Sequence, residues 1–257
     1  MDAIYRVDGN RVVTSSNAAG PWDAGMQHGS APAALVVWAA EAIPTREPMQ
    51  IARVTIDLMR PVPVAPLTLQ TEILREGRKI QLCAVRLFAG DVVVVGATIL
   101  KIKTQALNLP PEVADLPVEL PGPDQAREEQ PDFSGSPFVA GISMRAARGR
   151  FGLPGPGAIW FRVDRPLIEA SPVSQTMRAV VAADFCNGTS ALLDFRKWTF
   201  INADLTVSFA RQPVGAWILL DAESWVGPDG AGLATARLAD ISGYFGRAIQ
   251  SLVIKKR

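Results

Sequence analysis

Residues 31–40 read Ala-Pro-Ala-Ala-Leu-Val-Val-Trp-Ala-Ala, and this run constrains the fold more than any other stretch of the chain. Ser30 and Pro32 mark a helix start, because a serine can cap free backbone N–H groups and a proline in the first turn gives up none that the helix would use. The helix that follows, to about Ala42, is apolar on nearly every side, so it must be wrapped by other structure rather than lie on a surface. Like Val92 to Leu100, the other strongly apolar stretch, it falls short of the roughly 20 residues needed to span a bilayer.

Material to wrap it comes next in the chain. Arg53 to Arg60, Pro66 to Arg75, Lys79 to Ala89 and Asp91 to Lys103 are rich in Val, Ile, Thr and Leu, with turns at Glu76-Gly77 and Gly90-Asp91, which predicts an antiparallel meander. The plan then returns. Ser171 and Pro172 open a second helix to about Phe185, and strands are expected at Asp204 to Arg211, Ala216 to Val226, Leu233 to Asp240 and Tyr244 to Lys255. Thr55-Ile56-Asp57-Leu58-Met59-Arg60 aligns with Thr206-Val207-Ser208-Phe209-Ala210-Arg211 at an offset of 151, and Ile99-Leu100-Lys101 with Val253-Ile254-Lys255 at 154. A helix followed by four strands, twice, implies two similar units packed as a pseudo-dimer. A long helix wrapped by a curved antiparallel sheet is the hotdog arrangement, so the expected fold is an α+β double hotdog whose two sheets join edge to edge. Residues 1–106 form its N-terminal repeat and residues 138–257 its C-terminal one. Leu107 to Pro137 holds seven of the 20 prolines and seven acidic residues against Arg127 alone, the composition of a surface linker.

Charge removes whole classes of function. Lys and Arg number 26 against 25 Asp and Glu, leaving no electrostatic footprint for nucleic acid. One histidine, His28, and two cysteines, Cys83 and Cys186, cannot build a four-cysteine or two-cysteine, two-histidine zinc site or a ladder of disulfides, so no metal is expected. Asp2, Arg6, Asp8, Arg11 and Asp23 interrupt the start of the chain, which is unlike a signal peptide and suggests a cytoplasmic protein. The G-x-S-x-G elbow, the phosphate-binding G-x-x-x-x-G-K-[ST] loop and the dinucleotide G-x-G-x-x-G fingerprint are absent. A serine triad would have to use His28, and no spacing marks Ser15, Ser16 or Ser30 as its nucleophile.

Asp184 is the most informative residue. In the second helix it shares an apolar stripe with Met177 and Val180, while Gln175 and Arg178 face away. A carboxylate on a core-facing stripe is either hydrogen-bonded structurally or put to use, because burying it ionised and unpaired costs several kcal/mol. Helical geometry leaves both readings open.

Several short motifs resemble a known family. Gly20-Pro21-Trp22, Gln27-His28-Gly29, Ala33-Ala34-Leu35, Asp57-Leu58-Met59-Arg60-Pro61 and Gly77-Arg78-Lys79-Ile80-Gln81 look like the first half of TesB-like acyl-CoA thioesterases. Asn202-Ala203-Asp204-Leu205-Thr206-Val207, Arg211-Gln212-Pro213, Trp217-Ile218 and Gly246-Arg247-Ala248-Ile249-Gln250 look like the second. The resemblance implies a double-hotdog enzyme that hydrolyses acyl-CoA without a cofactor. It assigns Asp184 as general base and places Gln250 and Asn202 where the family holds the attacking water, with Asn202 standing in for the usual serine or threonine. The oxyanion would meet backbone N–H groups near Gly29 and Ser30, at the first helix start, with His28 supporting that start. Trp22, Trp38, Met177 and Phe185 would shape the acyl pocket, and Cys186 would be a buried free thiol. Hotdog proteins tend to bury their sheets against other copies, so a homo-oligomer, dimer or tetramer, is expected.

Two alternatives remain at this stage. Asp23 and His28 have the D-x-x-x-x-H spacing of hotdog enoyl-CoA hydratases, and a non-catalytic acyl-CoA or lipid-binding module would keep the pocket without the chemistry.

Overall fold

The computed structural model describes residues 2–113, 117–130 and 135–257; parts of the expected linker, residues 114–116 and 131–134, lie outside the described residues. The first half runs through β1 (Tyr5–Asp8), β2 (Arg11–Thr14), α1 (Ser30–Glu41), β3 (Met49–Asp57), β4 (Leu67–Glu76), β5 (Ile80–Ala89) and β6 (Val92–Lys103). The second runs through β7 (Arg127–Glu129), β8 (Ile142–Arg148), β9 (Gly157–Val163), α2 (Gln175–Ala183), α3 (Cys186–Thr189), β10 (Trp198–Asn202), β11 (Asp204–Phe209), β12 (Trp217–Val226), β13 (Ala231–Asp240) and β14 (Gly243–Lys256). Among the described residues the strands form one sheet of 14, in the order β1-β2-β4-β5-β6-β3-β11-β14-β13-β12-β9-β8-β7, with β10 also on β14. The sheet curls around α1 and α2, where Leu35, Val36, Val37, Val180 and Val181 are fully buried. This is a double hotdog.

The seam between the halves is β3 against β11. Thr55 stands opposite Thr206, Val54 opposite Val207 and Ile56 opposite Leu205. Exchanging the halves at the offset of 151 maps this set of pairs onto itself, as a self-complementary twofold contact requires. Irregularities repeat as well. The bulge between Leu87 and Phe88 recurs between Leu238 and Ala239, and the one between Ile51 and Arg53 recurs as the break at Ala203 that separates β10 from β11. The last strands keep this offset, not 154: Cys83 pairs Ile99 where Ala234 pairs Gln250, so Gln250 occupies the place of Ile99. Three matching letters between apolar strands are too few to fix a register when every strand alternates alike.

Helix boundaries differ from expectation for local reasons. Gly29 holds the cap position of α1, and Ser30 is its first residue, with a hydroxyl turned to α2 instead of capping. α2 starts at Gln175 rather than at Pro172, because Ser174 Oγ accepts from Met177 N at 3.1 Å and Ser171, preceding a proline, is disfavoured in a helix. It ends at Ala183, leaving Asp184 as the cap residue. α1 and α2 lie antiparallel: Ser30 Oγ meets the Val181 carbonyl at 3.0 Å, and Trp38 Nε1 donates to Ser171 Oγ at 3.1 Å.

Strands also precede each helix, so the order of a helix and then four strands is incomplete. β1, β2 and β8 are short, and β9 is buried on nearly every position, which removes the alternation by which a strand is read. Burial of β9 comes from the segment before β7: Val118, Leu120 and Ala126 cover Ala158, Trp160, Leu219 and Ala239 on the outer face, and Trp160 Nε1 donates to the Pro121 carbonyl at 2.9 Å. No helix among the described residues is long and apolar enough to cross a membrane.

Candidate active site

Where α2 ends, the start of α1 and the end of β10 converge on one buried carboxylate. Asp184 is only 5% exposed. Its Oδ1 accepts from Asn202 Nδ2 at 2.9 Å; its Oδ2 lies 3.0 Å from Ser30 Oγ and 3.1 Å from His28 Nδ1. Gly29 lies against the same group, so closely that a Cβ there would sit 2.7 Å from Oδ1 and 2.9 Å from Oδ2. Only glycine leaves room for the carboxylate. Several donors from three separate elements provide the compensation that burying this charge demands. Met177 and Val180 are buried with Asp184 as the helical stripe predicts, whereas Gln175 and Arg178 are partly exposed.

Gln250 meets Asp184 in a different way. Its side chain is fully buried, and Nε2 donates to the Asp184 backbone carbonyl at 3.1 Å, one of the carbonyls that a helix end leaves without an internal partner. Gln250 Oε1 is buried with no hydrogen-bond partner, and the residue is not part of the cavity wall. It holds the backbone that carries the carboxylate.

The His28 ring is clamped between Phe138, with centroids 4.9 Å apart, and Phe185, at 4.6 Å. Asp23 does not reach it: Asp23 Oδ1 accepts from Gly25 N at 2.7 Å in a local turn. The acid paired with His28 is Asp184, from the other half of the chain. Cys186, just beyond, is a free and fully buried thiol, pushed far above its ordinary range by burial and secondarily by the Asp184 charge. It stays protonated.

These groups open onto a cavity of about 630 Å³. Of the residues expected to shape it, Trp22 and Phe185 line it and Trp38 and Met177 do not. Among its other large apolar walls, Phe151 and Phe195 come from loops with no periodic signal, Leu58 directly follows β3, and Ile201 and Val253 belong to β10 and β14. Phe151 fits only because residue 188 is glycine; a Cβ there would stand 2.6 Å from Phe151 Cζ. Polar groups concentrate at Asp184, His28, Gly29 and Asn202, with Arg60 and Lys255 also contributing to the wall. An apolar chamber with a few convergent polar groups is the general form of a small-molecule site. The Gly29 N–H donates to no described backbone group, and Gly29 is part of the cavity wall. Among the described residues no cluster of three His, Cys, Asp or Glu side chains could hold a metal ion.

Comparison with known proteins identifies the family and the fold. Residues 18–102 match the model of an acyl-CoA thioesterase N-terminal domain, and residues 115–254 that of an acyl-CoA thioesterase C-terminal domain. No curated protein matches the sequence. Among solved structures, a conserved hot dog protein of unknown function from Alicyclobacillus acidocaldarius superposes with a TM-score of 0.77 at 15% identity, covering 98% of this chain and 95% of that one. A putative thioesterase II from Thermobifida fusca gives 0.75 at 16% identity, with 97% and 94% covered. The tesB protein of Mycobacterium avium subspecies paratuberculosis gives 0.71 at 17%, again with 97% and 94% covered. At such identities these likenesses establish the fold.

Proposed function

The chain belongs to the acyl-CoA thioesterase family, whose reaction is hydrolysis of the acyl-CoA thioester, and we propose that the carboxylate of Asp184 drives the attack of water in that reaction. The observation that carries the reading is Asp184 itself: a buried carboxylate, held by Asn202 and Ser30, on the wall of an otherwise apolar chamber. The acyl group lies in the chamber beside Phe151, Phe185 and Phe195. The Gly29 N–H, at the start of α1, takes the negative charge that develops on the carbonyl oxygen. Asn202 donates to Asp184 through Nδ2, and its carbonyl is left to hold the water. Gln250 fixes the Asp184 backbone. Arg60 and Lys255 receive the anionic CoA moiety. Thiolate is a good leaving group, so the barrier to overcome is water attack and the charge it creates on oxygen.

The test is release of free thiol from saturated and 2-enoyl-CoA by the wild type and by Asp184→Asn. The wild type releases thiol from both. Asp184→Asn keeps the fold and loses about 10² to 10⁴ in turnover. Loss of the enoyl bond without thiol release would instead indicate a hydratase, and no turnover of either compound a binding protein.

We further propose that the protein acts in the cytoplasm as a homo-oligomer of two or four copies. Ile80, Leu82, Leu100 and Ile102 support this: they lie on the face of β5 and β6 opposite the buried Cys83 and Ile99, and remain partly or fully exposed. A clean monomer by light scattering at micromolar concentration would defeat the oligomer.

A further inference from the structure

Beyond Asp184 the cavity follows the open edge of β10, which among the described strands pairs with β14 alone. In that pairing Ile201 stands opposite Val253 and Thr199 opposite Lys255. One step further on, Arg257 N donates to the Lys197 carbonyl at 3.0 Å. Cross-strand partners share a face and alternate along the strand, so Ile201, Val253, Thr199, Lys255, Lys197 and Arg257 belong to one face. Phe200 and Leu252, on the other face, are buried. Ile201, Val253, Thr199 and Lys255 line the cavity, and the Arg257 guanidinium stands 5.3 Å from the ring centroid of Trp22, another wall residue. The face therefore changes character with distance from Asn202. It is apolar at Ile201 and Val253, then basic at Lys255, Lys197 and Arg257.

Charge accumulates at that basic end. Arg196 and Lys256 adjoin it, so cations gather here in a chain whose net charge is only +1, and all of them are exposed. Among the described residues none of them pairs with an Asp or Glu side chain. The acids nearby are occupied or turned elsewhere: Asp194 Oδ1 accepts from Arg196 N at 2.9 Å, Asp23 from Gly25 N, and Asp229 lies in the turn whose Gly230 carbonyl accepts from Ile254 N. A rim of one sign beside a cleft concentrates anionic substrate. Reach decides which anion it meets. From the thioester sulfur to the first phosphorus of CoA there are roughly thirteen bonds, the span of about four residues of extended backbone, or ~15 Å. Asn202 is the last residue of β10 and Lys197 directly precedes its first, a separation of ~16 Å at about 3.3 Å per residue. We propose that Lys197, Lys255 and Arg257 bind the diphosphate of acyl-CoA, with the pantetheine arm laid over Ile201 and Val253 along the edge of β10. The inference rests on the thioesterase reading and assigns the part of the substrate held outside the acyl chamber.

Lys197→Glu, Arg257→Glu and the double variant test the site on three thioesters of one acyl group: acyl-CoA, acyl-dephospho-CoA, which lacks the ribose phosphate but keeps the diphosphate, and acyl-pantetheine, which has no phosphate. Each single reversal is expected to raise KM for acyl-CoA about tenfold with kcat little changed, and the double variant to raise it further. The rise should be the same with acyl-dephospho-CoA and absent with acyl-pantetheine, whose turnover also reports that the variants are folded. Added salt should narrow the gap between wild type and variants on acyl-CoA. Calorimetric titration of CoA alone into the wild type and the double variant reads the same site without turnover, as a Kd at least tenfold weaker in the variant. A KM for acyl-CoA within about twofold of wild type in the double variant overturns the proposal. So does an equal rise with acyl-pantetheine, which would mean that the chamber itself is disturbed, or a rise lost with acyl-dephospho-CoA, which would make the ribose phosphate the partner. A defect seen only with an acyl group carried on acyl carrier protein overturns it too, because the basic end would then dock a protein. If the wild type releases no thiol from any acyl-CoA, the thioesterase reading fails, and the diphosphate site is then decided by the calorimetry alone.

Discussion

The two halves of this molecule share one backbone plan, but Asn202 and Gln250 in the second have no polar counterparts in the first. At the offset fixed by the Thr55 and Thr206 pairing, Asn202 corresponds to Ile51 and Gln250 to Ile99. Each helix also sets a serine against an acid on the other: Ser30 Oγ lies 3.0 Å from Asp184 Oδ2, and Ser174 Oγ donates to Glu41 Oε1 at 2.9 Å. Yet Glu41 is solvent-exposed, and the residues in the places of Asn202 and Gln250 are buried isoleucines. In the first half these positions are packed with apolar side chains. In the second the chain tolerates a buried carboxylate and a glutamine whose Oε1 has no described partner. Buried polar groups that weaken a core tend to persist at functional sites, where local packing rules give way to the reaction.

A second contrast involves the two arginines of the repeated motif. Arg211 forms a bidentate pair with Asp240, at 2.6 and 3.0 Å, and Asp240 also accepts from Val214 N and Ser242 N. Among the described residues Arg60 has no such acid, because Ala89 stands in the place of Asp240. The local register differs as well. Ala210 N donates to the Phe245 carbonyl, but at the matching place in the first half it is Arg60 N, one position further along, that donates to Val94. One extra residue has rotated the arginine away, and a slip of one reverses a side chain's direction in an extended segment.

Arg211→Ala is expected to have the largest effect on stability, about 3 kcal/mol, because it leaves Asp240 buried with its main partner gone. Burial pushes the Asp240 carboxyl up, but Arg211 and the two backbone N–H groups outweigh it, so its folded value is below the ordinary one. A carboxyl depressed in this way stabilises the fold above its unfolded value, about pH 4, and that contribution is lost as pH falls through the folded value. Denaturant titrations should therefore show the wild type losing stability toward acid. In Arg211→Ala that acid loss should shrink, because the depression that produced it is largely gone. An unchanged midpoint at pH 7 would contradict the pairing.

Placing the first-half residue in the second half sharpens the main comparison. Asn202→Ile is expected to lower turnover about 10²-fold, the scale of removing one donor from a polarised site. Gln250→Ile should cost less, about tenfold, because it disturbs only the backbone on which Asp184 stands. It should leave the melting temperature little changed, since the isoleucine removes a buried orphan acceptor but leaves the Asp184 carbonyl without its partner. A melting temperature several degrees lower would mean that the amide is structural.

How much of this could be read beforehand depended on whether the signal was local. The seam was legible because Thr55 to Arg60 and Thr206 to Arg211 carry strand alternation and an end marker together. Asp184 stood out as a carboxylate on an apolar stripe. The inward direction of Gln250 follows once Ala248 and Leu252 are seen to be buried on the same face. His28 could not be placed this way, because its acid lies in the other half and the nearby Asp23 is a decoy. The aromatic cavity walls were illegible as well, since Phe151 and Phe195 lie in loops and gain meaning only beside Gly188 or Trp22.

The smallest expected effect separates the two arginines most cleanly. No described group pairs with the Arg60 side chain, which is exposed beside the cavity, so Arg60→Ala should change stability by less than about 0.5 kcal/mol. If it meets the anionic CoA moiety, KM for acyl-CoA should rise several-fold with kcat unchanged, because a contact far from the reacting carbonyl binds substrate and transition state alike. The rise should shrink as salt is added, since exposed charges are screened over about 10 Å at 0.1 M. Arg211→Ala should do the reverse, lowering stability without moving KM. One motif then has two readouts, and the contrast fails if Arg60→Ala destabilises the fold or leaves KM unmoved at low salt.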